Sequence, residues 1–352
     1  MESMPRQTDR VTVGVDTHRD VHVGVAVDTL GRVLGTIEVT ADIGGYERME
    51  SFASSFGEVD AFGIEGTGCY GVGLFRHLTA HGHQVVEVDR PDRRARRRQG
   101  KSDSIDALSA ALAVLSGRAT TVPKARNGEV EAIRVLSVAR RSAVRARVQA
   151  VNQMRGLIVT GPEALRRRLQ GLSGLKLLAA CSTLRSSKIG PAQDATRIAL
   201  RTLARRATAL ARETKELDAS IALLVGKSAP ELLELHGVGA QVAASLLVAA
   251  GDNPERIKSE ASFAHLCGAA PIPASSGLTT RHRLNRGGNR QANNALWRIV
   301  MVRMVSDERT RNYVERRSAE GRTKREIIRC LKRYVAREVF RCLSTTGGLT
   351  DR

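Results

Sequence analysis

Val11-Thr-Val-Gly-Val15, followed at once by Asp16-Thr-His-Arg-Asp20, sets the character of the first third of the chain. Four of its first five residues are β-branched, the composition of a strand, and a polar break carrying a carboxylate ends the run. Val21 to Val27 reads as a second strand and Arg32 to Val39 as a third. Between Gly45 and Phe56 the residues Met49, Phe52 and Phe56 recur at helical spacing. Ala61-Phe-Gly-Ile-Glu65 is a fourth strand, and Thr67-Gly68 leads into a helix running to about His81. Gln84 to Val88 gives a fifth strand, and a last helix is expected from near Ser102 to about Ser116.

Three consecutive strands, then helix, strand, helix, strand and helix, is the order of the ribonuclease-H-like fold. There an antiparallel hairpin leads into parallel βα units. An α/β domain is therefore expected over residues 10–125. From Glu129 to about Val225 strand signals vanish, and Val130 to Ile158 and Asp194 to Val225 read as long helices. An extended, coiled-coil-like hairpin and a compact helical bundle account equally well for this middle region, residues 126–228. A third, helical domain is expected over 229–345. It holds a short helix from Pro230 to Leu235, the turn His236-Gly-Val-Gly239 and an apolar helix to Ala250. A Gly/Pro/Ser-rich stretch from Leu266 to Gly288 follows, then helices at Asn289 to Val305 and Thr323 to Leu343. The fold class is thus α/β plus all-α.

Composition narrows the function. Of 352 residues 42% are hydrophobic and only 3% aromatic, so the cores are aliphatic and base stacking on aromatic platforms is not the main binding mode. The net charge of +20 points to a polyanionic partner. Residues 1–125 carry 15 basic and 17 acidic side chains, whereas residues 126–352 carry 41 and 19, so the excess belongs wholly to the later part. Five cysteines without a CxxC pair argue against a disulfide framework or zinc knuckle and suit a reducing compartment. No apolar run approaches a bilayer span and Met1 to Arg10 is polar, so a cytoplasmic protein without membrane association is expected.

Asp16 closes the first strand and Glu65 the fourth, while Asp103 and Asp106 stand three apart at a helix start and share one face. Clustered carboxylates hold hard divalent ions such as Mg²⁺ for phosphoryl transfer. Singly, each has a plainer explanation: Ser102 or Asp103 as a helix cap, Glu65 as a solvent-facing strand end. As a set at the ends of neighbouring elements they read as a metal site. Six arginines in the nine residues Arg90 to Arg98, including Arg93, Arg94, Arg96, Arg97 and Arg98, precede the aspartates and suit phosphate binding, where a solvated face is the ordinary alternative.

Leu235 to Ala244 matches a helix-hairpin-helix, whose Gly237 and Gly239 turn presents backbone N–H groups to a DNA phosphate; a tight turn between core helices explains it equally simply. Pro271-Ile-Pro-Ala-Ser-Ser-Gly277, with Arg281, Arg283 and Arg286 close behind, offers a serine nucleophile among guanidinium groups. Ser-Gly pairs are also common in ordinary turns.

These motifs together resemble the DEDD transposases of bacterial insertion sequences, the insertion sequence 110 family, which includes Piv-type invertases. The resemblance runs from about Val11 to Val305. It rests on Val13-Gly-Val-Asp16-Thr-His-Arg-Asp20, Glu65-Gly-Thr-Gly-Cys-Tyr70, Lys101-Ser-Asp103-Ser-Ile-Asp106-Ala107, Gly237-Val-Gly239, Phe263-Ala-His-Leu-Cys-Gly268, Ser275-Ser-Gly277 and Arg286-Gly-Gly-Asn289. It implies a RuvC-like domain with Asp16, Glu65, Asp103 and Asp106 as metal ligands. It also implies a serine nucleophile that forms a phosphoserine link to the cut strand, matched here by Ser276, with Ser275 as the alternative. Donor and target DNA, a bridge RNA that pairs with both, and a tetramer built as a dimer of dimers are implied in the same way, in a cytoplasmic, nucleoid-associated setting. The segment after Gly277 and the presence of Cys69 depart from the family's usual pattern. A RuvC-like Holliday-junction resolvase or nuclease using water is the rival enzyme, and an architectural nucleic-acid binder with an inactive domain is the rival outside enzymology.

Overall fold

In the computed structural model the residues described are 10–88, 102–186, 190–275 and 282–346. The chain divides into two compact units, Met1–Ala125 and Arg126–Arg352.

The first unit contains β1 (Arg10–Thr17), β2 (Val21–Val27), β3 (Val33–Thr40), α1 (Ile43–Ser54), β4 (Glu58–Glu65), α2 (Val72–Ala80), β5 (Val85–Val88) and α3 (Asp103–Leu115). The strands form one sheet in the order β3-β2-β1-β4-β5. Strand β2 runs antiparallel to both β1 and β3, and β4 runs parallel to β1 on one side and β5 on the other. This is the mixed sheet expected from the order of elements. One difference is local: α2 begins at Val72 rather than directly after Thr67-Gly68, because the residues after Glu65 first form a turn in which Cys69 N–H and Gly71 N–H both donate to Gly66 O.

Strand alternation assigns the two faces. Val11, Val13 and Val15 enter a core with Met49 and Ala53 of α1 and with Leu74, Phe75 and Leu78 of α2. Val23, Val25 and Val27 turn the other way, against Ala107 and Ala111 of α3. A sheet covered on both sides explains why β1 and β2 are nearly continuous apolar runs. On the α3 side, Gly14 and Gly63 are register partners on the adjacent strands β1 and β4. A Cβ on Gly14 would lie 2.0 Å from Ala107 O and 2.3 Å from Ala111 N, and one on Gly63 would lie 2.6 Å from Val114 Cγ2. Helix α3 therefore rests on bare strand backbone.

The second unit is helical: α4 (Glu129–Val159), α5 (Glu163–Leu169), α6 (Gly174–Ser182), α7 (Pro191–Ser228), α8 (Pro230–Glu234), α9 (Ala240–Ala250), α10 (Glu260–Leu266), α11 (Arg290–Ser306), α12 (Glu308–Ala319) and α13 (Lys324–Thr346). A short pairing of β6 (Ile272–Pro273) with β7 (His282–Arg283) interrupts the helices. The long helices α4 and α7, about 46 and 57 Å at the usual rise per residue, form an antiparallel hairpin. One end of it, Val130, Ile133, Ile221 and Val225, is built into the main core around α9, α11 and α13. At the other end Ala150, Met154, Leu200, Ala204 and Ala207 are closed off by α5 and α6. Between them Ala143 is buried, and Asp218 accepts from Arg140 Nε at 2.5 Å and from Gln241 Nε2 at 2.6 Å. Of the two forms open for the middle region, this is the extended hairpin.

Helices α10 and α12 have no counterpart among the expected elements. In α12 Thr310 alone is buried, so no apolar stripe announces it; its signal is the Asp307 cap, whose carboxylate accepts from Thr310 N at 2.9 Å. All five cysteines are free thiols. Among the described residues no helix is long and apolar enough to cross a membrane.

Gly14→Ala should push α3 off the sheet and destabilise the protein by about 1–3 kcal/mol, the usual cost of overpacking a tight site, read as a lowered Tm. Gly156→Ala, on an exposed stretch of α4 where a Cβ meets nothing within 4 Å, should instead stabilise by up to about 1 kcal/mol.

Candidate active site

The parallel pairing of β1 with β4 sets Asp16 and Glu65 one residue beyond the partners Val15 and Ile64. Both therefore lie on the face of Gly14 and Gly63, the face covered by α3. Helix α3 begins beside them: Ser102 Oγ accepts from Ile105 N at 3.3 Å as its cap, and Asp103 and Asp106 occupy the first turn. Asp106 is 4% exposed and Asp16 8%, while Asp103 faces solvent. Thr17 Oγ1 donates to Glu65 O at 2.7 Å and fastens the two strand ends together.

The electrostatics of this corner are unfavourable in the way ion sites are. Burial raises the pKa of the Asp16 carboxyl, and the neighbouring charges of Asp106 and Asp103 raise it further, while His18 and the Thr17 N–H work the other way. His18 Nε2 lies 3.2 Å from Asp16 Oδ2 and 3.2 Å from Asp103 Oδ1. That nitrogen is buried, yet neither contact is aligned as a hydrogen bond. Asp16, His18 and Asp103 each direct a ligand atom into one space, all within 4.8 Å of one another. An oxygen-rich set with mutual repulsion and an orphaned imidazole nitrogen fits a divalent cation.

Of the expected carboxylates, the structure thus brings Asp16, Asp103 and Asp106 together and sets Glu65 beside Asp16 on the same face. His18 was not among the expected site residues. Its signal in the sequence was only its place two residues beyond Asp16, in the polar break that follows β1. Arg93, Arg94, Arg96, Arg97, Arg98, Ser276 and Arg281 lie outside the described residues.

In the second unit Gly237 and Gly239 form the turn between α8 and α9, with Gly237 left-handed at φ 82° and Gly239 capping α9. Ser275 and Arg283 are exposed. Arg286 lines a cavity of about 680 Å³ together with Arg290, Arg329, Lys332 and Arg333. The cavity is shaped by Gly268 and Gly288, which pack backbone to backbone so closely that a Cβ on Gly288 would lie 2.3 Å from Gly268 N. Asn289 then caps α11 by accepting from Gln291 N and Ala292 N. Arg333 and Arg337 grip Glu260 of α10 at 2.6 to 2.9 Å. Hydrogen bonds from Arg333 first and Arg337 second bring that carboxyl down to about 2. Burial pushes the Lys332 ammonium pKa down, with Arg329 adding to the effect, and its Nζ donates to Asn293 Oδ1 at 3.0 Å.

A mixed sheet with carboxylates at parallel strand ends in the first unit, and a strongly basic helical second unit, leave the family of the chain still to be named. The comparisons specify it. A model for DEDD-type transposases matches residues 13–160, and one described as the transposase IS116/IS110/IS902 family matches residues 229–315. A Streptomyces coelicolor protein, the insertion element IS110 uncharacterized 43.6 kDa protein, is 32% identical over 149 residues. The match covers 42% of this chain and 36% of that relative. The chain belongs to the IS110 family of transposases.

Because the folded pKa of Glu260 lies below its unfolded value, its pairing contributes stability above about pH 4.5 that is lost as the pH falls towards 2. Glu260→Gln should therefore lower Tm at pH 7 and flatten the acid limb of the stability curve, measured by thermal unfolding across that range.

Proposed function

We propose that this protein cuts and rejoins DNA strands to move an insertion element, using a phosphoryl-transfer centre on Asp16, Glu65, Asp103 and Asp106. One observation carries the reading: Asp16 and Glu65 end adjacent parallel strands on one face, and there Asp16 meets Asp103 of a helix start around the His18 nitrogen. The antiparallel hairpin leading into parallel βα units supports a RuvC-like domain. Mg²⁺ bound there would supply positive charge to the scissile phosphate and the developing transition state. Asp16, Glu65, Asp103 and Asp106 would hold it, with His18 Nε2 standing 3.2 Å from both Asp16 Oδ2 and Asp103 Oδ1.

Ser276 is the proposed nucleophile, with Ser275 as alternative. A phosphorus bond to its Oγ forms as the bond to one deoxyribose oxygen breaks; the serine loses its proton and the released oxygen takes one up. Arg93, Arg94, Arg96, Arg97, Arg98, Arg281, Arg283 and Arg286 grip nucleic-acid backbones, and the helix-hairpin-helix turn at Gly237 and Gly239 offers N–H donors to a DNA phosphate. Donor and target DNA are paired by a bridge RNA, and the working form is a tetramer assembled as a dimer of dimers on the nucleoid.

The test uses the full chain, DNA spanning the element's ends, and RNA transcribed from its flanking noncoding sequence. Asp16→Asn and Asp106→Asn should each lower strand cleavage about a thousandfold, the several kcal/mol that bound cations contribute. Ser276→Ala should abolish the covalent protein–DNA adduct on denaturing gels. Cleavage that persists in both Ser276→Ala and Ser275→Ala but not in Asp16→Asn would make water the nucleophile, as in a resolvase. Undiminished cleavage in Asp16→Asn would overturn the site itself.

A further inference from the structure

The sheet face opposite α3 carries a second group of ligating side chains that plays no part in the centre above. Glu50 projects from α1, His77 from the last turn of α2, and His81 caps that helix. His77 and His81 stand one turn apart, so their rings share a helix face. Gly82, at φ 83°, then reverses the chain, and His83 N–H donates to Leu78 O, which returns the His83 ring to the same place. The Glu50 carboxylate is the common target. His77 Nε2 lies 3.1 Å and His81 Nδ1 2.8 Å from its Oε2, and His83 Nε2 lies 2.8 Å from its Oε1.

We propose that His77, His81 and Glu50 form a binding site for a divalent transition ion of the zinc class, with His83 positioning the carboxylate through its second oxygen.

Three observations carry it. The ligand atoms of Glu50, His77 and His81 all lie within 4.8 Å of one another. Tetrahedral zinc with bonds near 2.0–2.1 Å separates neighbouring ligand atoms by about 3.3 Å, so the observed 2.8 and 3.1 Å need to open by only a few tenths of an ångström. The donor chemistry is also selective: two imidazoles and one carboxylate suit zinc, whereas Mg²⁺ and Ca²⁺ prefer oxygen. Lastly, the site sits at the C-terminal end of α2, where the helix dipole favours a cation. The side chain of His81 is 49% exposed, and His77 only 12%, so the ion enters from the His81 side and keeps a position open to water. Bound there, it clamps α1 to α2 and stiffens the helical layer over that face of the sheet.

The test takes the full chain, stripped with a chelator and titrated with zinc chloride in excess Mg²⁺, in an Asp16→Asn background that disables the other ligand group. Zinc per chain is measured by elemental analysis and Tm by thermal unfolding. One zinc per chain and a zinc-dependent rise in Tm are expected. His77→Ala should abolish both, as should His81→Asn, which alters an exposed side chain and spares the fold. His83→Ala should weaken zinc affinity about 10–100-fold, as removal of an outer partner does. No bound zinc in the parent, or zinc retained equally in a folded His81→Asn protein, would show the four residues to be a hydrogen-bonded cluster only and would overturn the proposal.

Discussion

Helix α3 lies over the sheet at backbone contact because Gly14 and Gly63 carry no side chains, and the chemistry of the first unit depends on that approach. Two neighbouring strands, both bare at the same level, make a shallow trough for Ala107, Ala110 and Ala111. Seated there, the helix brings its first turn over the ends of β1 and β4. Asp106 is forced into a nearly dry position within range of the Asp16 charge. A single methyl at Gly14 would lift the helix, open this corner to water and relax the crowding that suits it to a cation. The packing of small residues and the placement of carboxylates are one design feature.

The two units use charge in opposite ways. In the first, carboxylates are gathered until they repel, a cost that a bound cation would relieve. In the second, an excess of arginine and lysine is kept in order by a few well-placed acids: Asp218 holds Arg140, and Glu260 holds both Arg333 and Arg337. The pairing of Glu260 leaves the neighbouring guanidinium groups of Arg286, Arg290 and Arg329 facing the same cavity. Such a surface has the chemistry to take phosphates without reading bases, as the proposed function requires. The long hairpin of α4 and α7 fits the same pattern. It is anchored by apolar cores at its two ends and carries a mostly polar middle.

Much of this was legible beforehand. The strands of the first unit are β-branched runs closed by polar residues, and a sheet buried on both faces leaves that mark plainly. Asp16, Glu65, Asp103 and Asp106 could be picked out because each sits where an apolar run stops or a helix starts. Other parts were hidden for physical reasons. Helix α12 buries too little to show periodicity and is held by a cap. The start of α2 was misplaced because the turn after Glu65 reads like a helix N-terminus. His18 and the histidines around Glu50 look like ordinary surface residues until their partners, distant in sequence, arrive beside them.

The sequence by itself determined the local order of strands and helices, the division of charge between the two parts of the chain, and the residue types available for phosphate chemistry. Those follow from side-chain hydrophobicity, branching and spacing, which act over a few residues. Only the tertiary structure decided which carboxylates share a face, that an imidazole stands between two of them, and that three histidines converge on one glutamate. Such convergence depends on strand register and on how closely a helix can approach a sheet. Both are set by contacts between residues tens of positions apart, which no local pattern records.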